Sequence, residues 1–84
     1  MFDIKYSRQA AKFLRSLDNT NQSRMFKKIE KLKHEPILHD SKTVIGYNEK
    51  LYRVRVGNYR ILYEVDHMDN LIGIVKIHKR SRAY

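Results

Sequence analysis

Phe2, Ile4 and Tyr6 alternate with Asp3 and Lys5, the two-residue period of a half-buried strand. Ser7 follows as a helix cap, and Ala10, Phe13, Leu14 and Leu17 fall at i, i+3, i+4 and i+7, one apolar face of a short helix that stops near Asp18 and Asn19. Thr20 is placed to cap a second helix, whose apolar stripe is Met25, Phe26, Ile29 and Leu32, and Glu35-Pro36 marks its end. Arg24, Lys27, Lys28 and Lys31 repeat at helical spacing on a different face. Residues 36–49 hold the single proline and little period, and read as a loop with a short extended piece at Thr43 to Ile45. Three strands come next, Lys50 to Val56, Tyr59 to Val65 and Leu71 to Lys79, with Gly57-Asn58 as a two-residue hairpin turn. The expected architecture is one α+β domain over residues 1–84: an N-terminal strand, two helices and a three-stranded antiparallel meander, with the helices on one face of a four-stranded sheet.

The turn fixes a register. Val56 should face Tyr59, Arg55 should face Arg60, Val54 Ile61, Arg53 Leu62 and Tyr52 Tyr63. Tyr52, Val54, Val56, Tyr59, Ile61, Tyr63 and Val65 then lie under the helices, while Arg53, Arg55 and Arg60 share the other face with Glu64. For the last strand, placing Leu71, Gly73, Val75 and Ile77 on the helix side requires an odd-length turn, most simply His67 to Asp69. Arg60 would then neighbour Lys76, with His78 and Arg80 continuing along the same face. Like charges opposed across strands destabilise a sheet by about 0.2 to 1 kcal/mol, so a function has to offset them.

Composition narrows the classes. Eighty-four residues make one domain, and a chain this short buries only about 60 to 65 per cent of its unfolded surface, so a bound partner can add stability. Eighteen Lys and Arg against nine Asp and Glu give a formal charge of +9, which favours a polyanion: RNA, DNA, an acidic protein or an anionic membrane. Cysteine is absent, which removes disulfides, thiolate metal sites and a thiol nucleophile. The longest plain apolar stretch, Leu71 to Val75, is far short of a membrane span, and the start Met-Phe-Asp-Ile-Lys has no signal-peptide pattern, so a soluble cytoplasmic protein without a membrane partner is expected. His34, His39, His67 and His78 form no helical His-x-x-x-His pair, and there is no Gly-rich phosphate loop or Gly-x-Ser-x-Gly elbow. No metal and no small-molecule cofactor are expected.

The run from Leu51 to Val65, LYRVRVGNYRILYEV, resembles the hallmark hairpin of the RelE/ParE toxin superfamily, and Ile77 to Tyr84, IHKRSRAY, resembles its C-terminal motif. The likeness covers essentially the whole chain. It implies a ribosome-dependent endoribonuclease that cuts messenger RNA, in contact with ribosomal RNA, and is restrained by a cognate antitoxin protein. By motif, Arg60 and Arg80 would bind the scissile phosphate and Tyr84 would stack on or orient the RNA. Arg53 and Arg55 stand where some members carry catalytic lysines, and His78 stands where relatives often have glycine, so the sequence departs from the pattern there. Lys76, Lys79 and Arg82, together with Lys27, Lys28 and Lys31 on the second helix, are candidate RNA-binding cations. ParE-like members of the same fold, described as poisoning DNA gyrase, are the first rival; a plain RNA-binding or decayed relative is the second.

In metal-free RNA cleavage the 2′-hydroxyl attacks the neighbouring phosphate, which needs a base, cations for the phosphorane and an acid for the leaving oxygen. Arginine suits the second role: its fork binds phosphate bidentately, but with a pKa above about 12 it is a poor base. Proton transfer is therefore expected from His78, with Lys79 and Tyr84 as alternatives.

Overall fold

The computed structural model describes residues 1–44 and 50–80. The elements are β1 (Asp3–Tyr6), α1 (Arg8–Ser16), α2 (Asn19–His34), β2 (Lys42–Val44), β3 (Leu51–Val56), β4 (Tyr59–Asp66) and β5 (Leu71–Lys79). The strands form one sheet in the order β1-β5-β4-β3-β2. Strand β1 runs parallel to β5 and the other pairings are antiparallel. The α+β reading holds, with a correction: the sheet has five strands, because the extended piece expected near Thr43 pairs with β3 as an edge strand. Among the described residues no helix is long and apolar enough to cross a membrane.

Ser7 caps α1 as its position predicts, its Oγ accepting from the Ala10 N–H at 3.1 Å. The second cap differs. Asp18, not Thr20, is the N-cap of α2, since the chain turns straight out of α1 and re-enters a helix at Asn19. A carboxylate there also suits the positive end of the helix dipole. The stripe of α2 narrows to Met25, Ile29 and Leu32, whose i, i+4, i+7 spacing covers the sheet, and leaves Phe26 exposed on the flank. Ala10 and Leu14 join them over Val54, Val56, Ile61, Tyr63, Ile72, Ile74 and Ile77 in one core.

The β3–β4 hairpin has the expected register at all five pairs, including Arg55 against Arg60. Gly57 takes a φ of 58° while Asn58 does not enter the left-handed region, the pattern of a II′ turn, which wants glycine first. Strand β5 departs from expectation. The turn before it has four residues, His67 to Asn70, because the Asp66 carboxylate accepts from both the Met68 and Asp69 N–H groups and Asn70 closes the turn at φ 56°. Ile72 and Ile74, not Leu71 and Gly73, therefore face the helices. Between the pairs Tyr63–Ile74 and Leu62–Lys76, Val75 has no partner on β4 and bulges outward, which restores Ile77 to the core. As a consequence Arg60 lies beside His78, and Lys76 beside Leu62.

Helix α1 also completes β5. Past the end of β1, the Ser7 N–H donates to the Ile74 carbonyl at 2.9 Å and the Ser7 hydroxyl to the Val75 carbonyl at 2.7 Å. The Gln9 amide then accepts from the Ile77 N–H at 3.0 Å and donates to the Ile77 carbonyl at 2.7 Å, standing in for a strand residue. Gln9→Ala is expected to lower stability by about 1 to 3 kcal/mol, the cost of leaving main-chain groups of the core residue Ile77 without partners; urea unfolding of the two proteins measures it.

Candidate functional site

The residues of one register pair share a face, so the pairings alone place the cations. His78 on β5 is opposite Arg60 on β4, and Arg60 is opposite Arg55 on β3, giving a row across three adjacent strands on the face away from the helices. Two residues along β3, Arg53 is opposite Lys42 on β2. Lys76 lies on the same face next to His78's end of the row. Arg80 follows β5, its N–H donating to the Asn58 carbonyl at 2.7 Å, so the ladder still holds the chain where Arg80 leaves it. Lys79 pairs with Tyr59, whose side chain packs against the core, and so sits on the opposite face from the row. Tyr84 and Arg82 lie outside the described residues.

Exposure divides the row. Arg55 is exposed, Arg53 and His78 are partly buried, and Arg60 at 6% exposure is a buried cation. An open phosphate-gripping role fits Arg55 better than Arg60, whose small exposed fraction sits between Arg55 and His78. Glu64, expected on this face, lies further along over Gly73: a Cβ on that glycine would fall 3.1 Å from Glu64 Oε1. The His78 ring has Nδ1 2.9 Å from the Lys79 carbonyl oxygen. A carbonyl can only accept, so Nδ1 carries the hydrogen and Nε2 of the neutral ring keeps a lone pair for a proton.

Two open concavities meet at Arg55. One, of about 340 Å3, is lined by His39, Asp40, Lys42, Arg53 and Arg55. The other, of about 280 Å3, is lined by Arg24, Lys27, Lys28, Lys31, Arg55, Val56 and Gly57. The helical stripe and the sheet row are thus continuous around the β3 side of the molecule. The Arg24 guanidinium rests on the turn, where a Cβ on Gly57 would fall 2.9 Å from its Nη2. Lys28 is taken by Asp40, Nζ to Oδ2 at 2.6 Å. That hydrogen bond holds the Asp40 carboxyl below its ordinary value.

The segment carrying His39 to Lys42 is tied to the core through Tyr63. Its buried hydroxyl donates to the Pro36 carbonyl at 2.8 Å and meets Ser41 Oγ at 2.7 Å, and Ser41 Oγ accepts from the Leu38 N–H at 3.0 Å. Burial pushes the Tyr63 hydroxyl up, which keeps it neutral and able to donate. Lys42 and His39 are members of the site that the sequence pattern did not single out. The alternation of Lys42, Thr43 and Val44 would reveal Lys42 only once their partner strand is known. Among the described residues no group of three or more His, Cys, Asp or Glu side chains gathers as a metal site would.

Comparison with known proteins bears on the chain as a whole. The family described as "ParE toxin of type II toxin-antitoxin system, parDE" matches residues 4–84. The chain is 36% identical to the "Putative toxin RelE1" of Methanocaldococcus jannaschii over 86 residues, 99% of this chain and 94% of that protein. The archaeal RelE of the RelE–RelB complex from Pyrococcus horikoshii OT3 superimposes with a TM-score of 0.84 at 32% identity, covering 96% of this chain and 97% of that one. The intact E. coli RelBE complex gives 0.82 at 21% identity, over 98% and 100%, a likeness of fold.

The Lys28–Asp40 pair has a pH signature. Because the folded protein holds the Asp40 carboxyl low, the pair stabilises the fold above the carboxyl's unfolded value and loses that contribution as pH falls through the lowered one. Asp40→Asn should therefore reduce the urea midpoint at pH 7, and the difference from wild type should close as the pH falls below the ordinary carboxylate range.

Proposed function

The chain belongs to the RelE/ParE family of toxins of type II toxin-antitoxin systems, and we propose that it acts as a RelE-type endoribonuclease, cutting messenger RNA on the ribosome by attack of a 2′-hydroxyl on the adjacent phosphate. The observation that carries this reading is the cross-strand row His78, Arg60, Arg55, with Arg53 beside it. A phosphate laid against the exposed side chains of this row meets converging positive charge. Arg55 and Arg80, both exposed, grip the phosphate oxygens and take up the charge of the phosphorane, while buried Arg60 holds the field of the row in place. His78 Nε2 receives the 2′-hydroxyl proton. Tyr84 and Arg82 enter this reading through the family's C-terminal motif.

The helical cations extend the same surface. Arg24, Lys27 and Lys31 reach Arg55 around the rim and suit a run of phosphates, from the message or from ribosomal RNA. Lys28, already paired with Asp40, serves that surface by fixing the 36–44 segment. Lys76 lies near His78's end of the row, and Lys79, on the other face, is a peripheral contact. The partner is a cognate antitoxin, as in the RelE–RelB complexes. With a formal charge of +9, an acidic segment of the antitoxin laid over the row would block it and stabilise the toxin together.

The matching family is described by ParE, which keeps a gyrase-directed toxin as the second reading. Mapping nucleic-acid ends after induction separates them: cuts within translated messages support the ribonuclease, and DNA breaks with intact messages support the gyrase reading. Within the ribonuclease reading, Arg55→Ala and Arg80→Ala should each slow message cleavage on programmed ribosomes by about 10²- to 10³-fold with unchanged circular dichroism. Unchanged cleavage in both variants would remove the row from the site.

A further inference from the structure

The arginines bind and neutralise but do not pass protons, so the leaving 5′-oxygen needs a donor from another residue type. Displacement at phosphorus runs in line, with the entering and departing oxygens on opposite sides of the phosphate. A base and an acid that serve the same phosphate therefore have to stand on opposite flanks of the cations that hold it. His78 occupies one flank, on β5. Across Arg60 and Arg55, on the far flank, the edge strand β2 presents Lys42, directly opposite Arg53 and on the same face. Three strand spacings and a two-residue offset along the strands separate His78 from Lys42, about 16 Å between backbones, a gap that two inward-leaning side chains and one phosphate can fill.

The surroundings of Lys42 favour this role. It is exposed and lines the 340 Å3 concavity with Arg53 and Arg55. Asp40, the carboxylate in that concavity, is held by Lys28, and among the described residues Lys42 forms no ion pair of its own. The Tyr63–Ser41–Pro36 hydrogen bonds and the Lys28–Asp40 pair anchor the chain immediately before it. An ammonium can give up a proton to a developing alkoxide where a guanidinium cannot.

Resting on the ribonuclease reading above, we propose that Lys42 is the proton donor to the leaving 5′-oxygen, facing His78 across the arginine row. As the 2′-oxygen bonds to phosphorus its proton passes to His78 Nε2, the P–O5′ bond breaks, and O5′ takes a proton from the Lys42 ammonium. The products are a 2′,3′-cyclic phosphate and a 5′-hydroxyl, with an imidazolium and an amine that exchange their protons with water.

The test compares full-length wild type, Lys42→Arg, Lys42→Ala and His39→Ala on programmed ribosomes. Each is given an ordinary message and one with sulfur replacing the bridging 5′-oxygen at the cleaved position, because a thiolate departs without a proton. Both Lys42 variants are expected to cut the ordinary message about 10²- to 10⁴-fold more slowly. They should cut the sulfur-bridged message nearly as fast as wild type, and bind an uncleavable 2′-deoxy message normally. Lys42→Arg as active as wild type, or equal losses on both messages, overturns the proposal, as does sulfur rescue confined to His39→Ala. Wild type that cuts neither message overturns the ribonuclease reading itself, and the role of Lys42 with it.

Discussion

The two-residue turn at Gly57-Asn58 is the constraint from which the site follows. Side chains alternate along a strand, so sliding β3 against β4 by one residue would carry Arg53 and Arg55 under the helices and push Val54 and Val56 into water. Burying each large aliphatic side chain is worth about 1.5 to 3 kcal/mol, and Val54, Val56, Ile61 and Tyr63 all lie on the core side. Against that, the opposed pair Arg55 and Arg60 costs roughly 0.2 to 1 kcal/mol. Packing therefore dictates the register, and the arginine cluster is carried along as a tolerated cost. This is how a small domain can concentrate positive charge without a binding loop: the core holds it in place.

The hairpin was legible because its turn residues determine loop length, and loop length determines pairing. The helix stripe of α1, its Ser7 cap and the stop at Glu35-Pro36 were legible for the same reason: each rests on contacts within a few residues. Strand β5 was not. Its alternation, Leu71-Ile72-Gly73-Ile74-Val75-Lys76-Ile77, offers apolar residues to both faces, so the pattern does not choose between Leu71 and Ile72 as the inward residue. The choice falls to the Asp66 carboxylate and left-handed Asn70, which set the turn at four residues, and to the bulge at Val75. Turn and bulge together decide the chemistry as well, because each advances β5 by one residue against β4 and so His78 rather than Lys76 comes alongside Arg60. Lys42 was hidden for a related reason: a three-residue edge strand carries too little pattern to announce its partner, and its place depends on pairing with β3 and on Tyr63 reaching across to Ser41.

The charges are also more ordered than their number suggests. One lysine of the α2 stripe is neutralised by Asp40, and one arginine of the row is buried, so the surface presented to a polyanion is a selected subset of the basic residues. Among the others, Arg53, Arg55 and Lys42 on the sheet and Arg24, Lys27 and Lys31 on the helix line two concavities that meet at Arg55. Removing that one side chain would interrupt the track rather than only subtract a charge.

The clasp of Ser7 and Gln9 on β5 reaches beyond fold stability. A strand bordered by nothing offers its peptide groups to any extended chain that drifts past, and stacked sheets of many copies can grow from such a border. Here the backbone and hydroxyl of Ser7 and the amide of Gln9 occupy the Ile74, Val75 and Ile77 groups just where β1 runs out. The stretch of β5 that β1 leaves uncovered is thereby filled from within the chain, and an extended segment of a partner has no backbone slot there to invade.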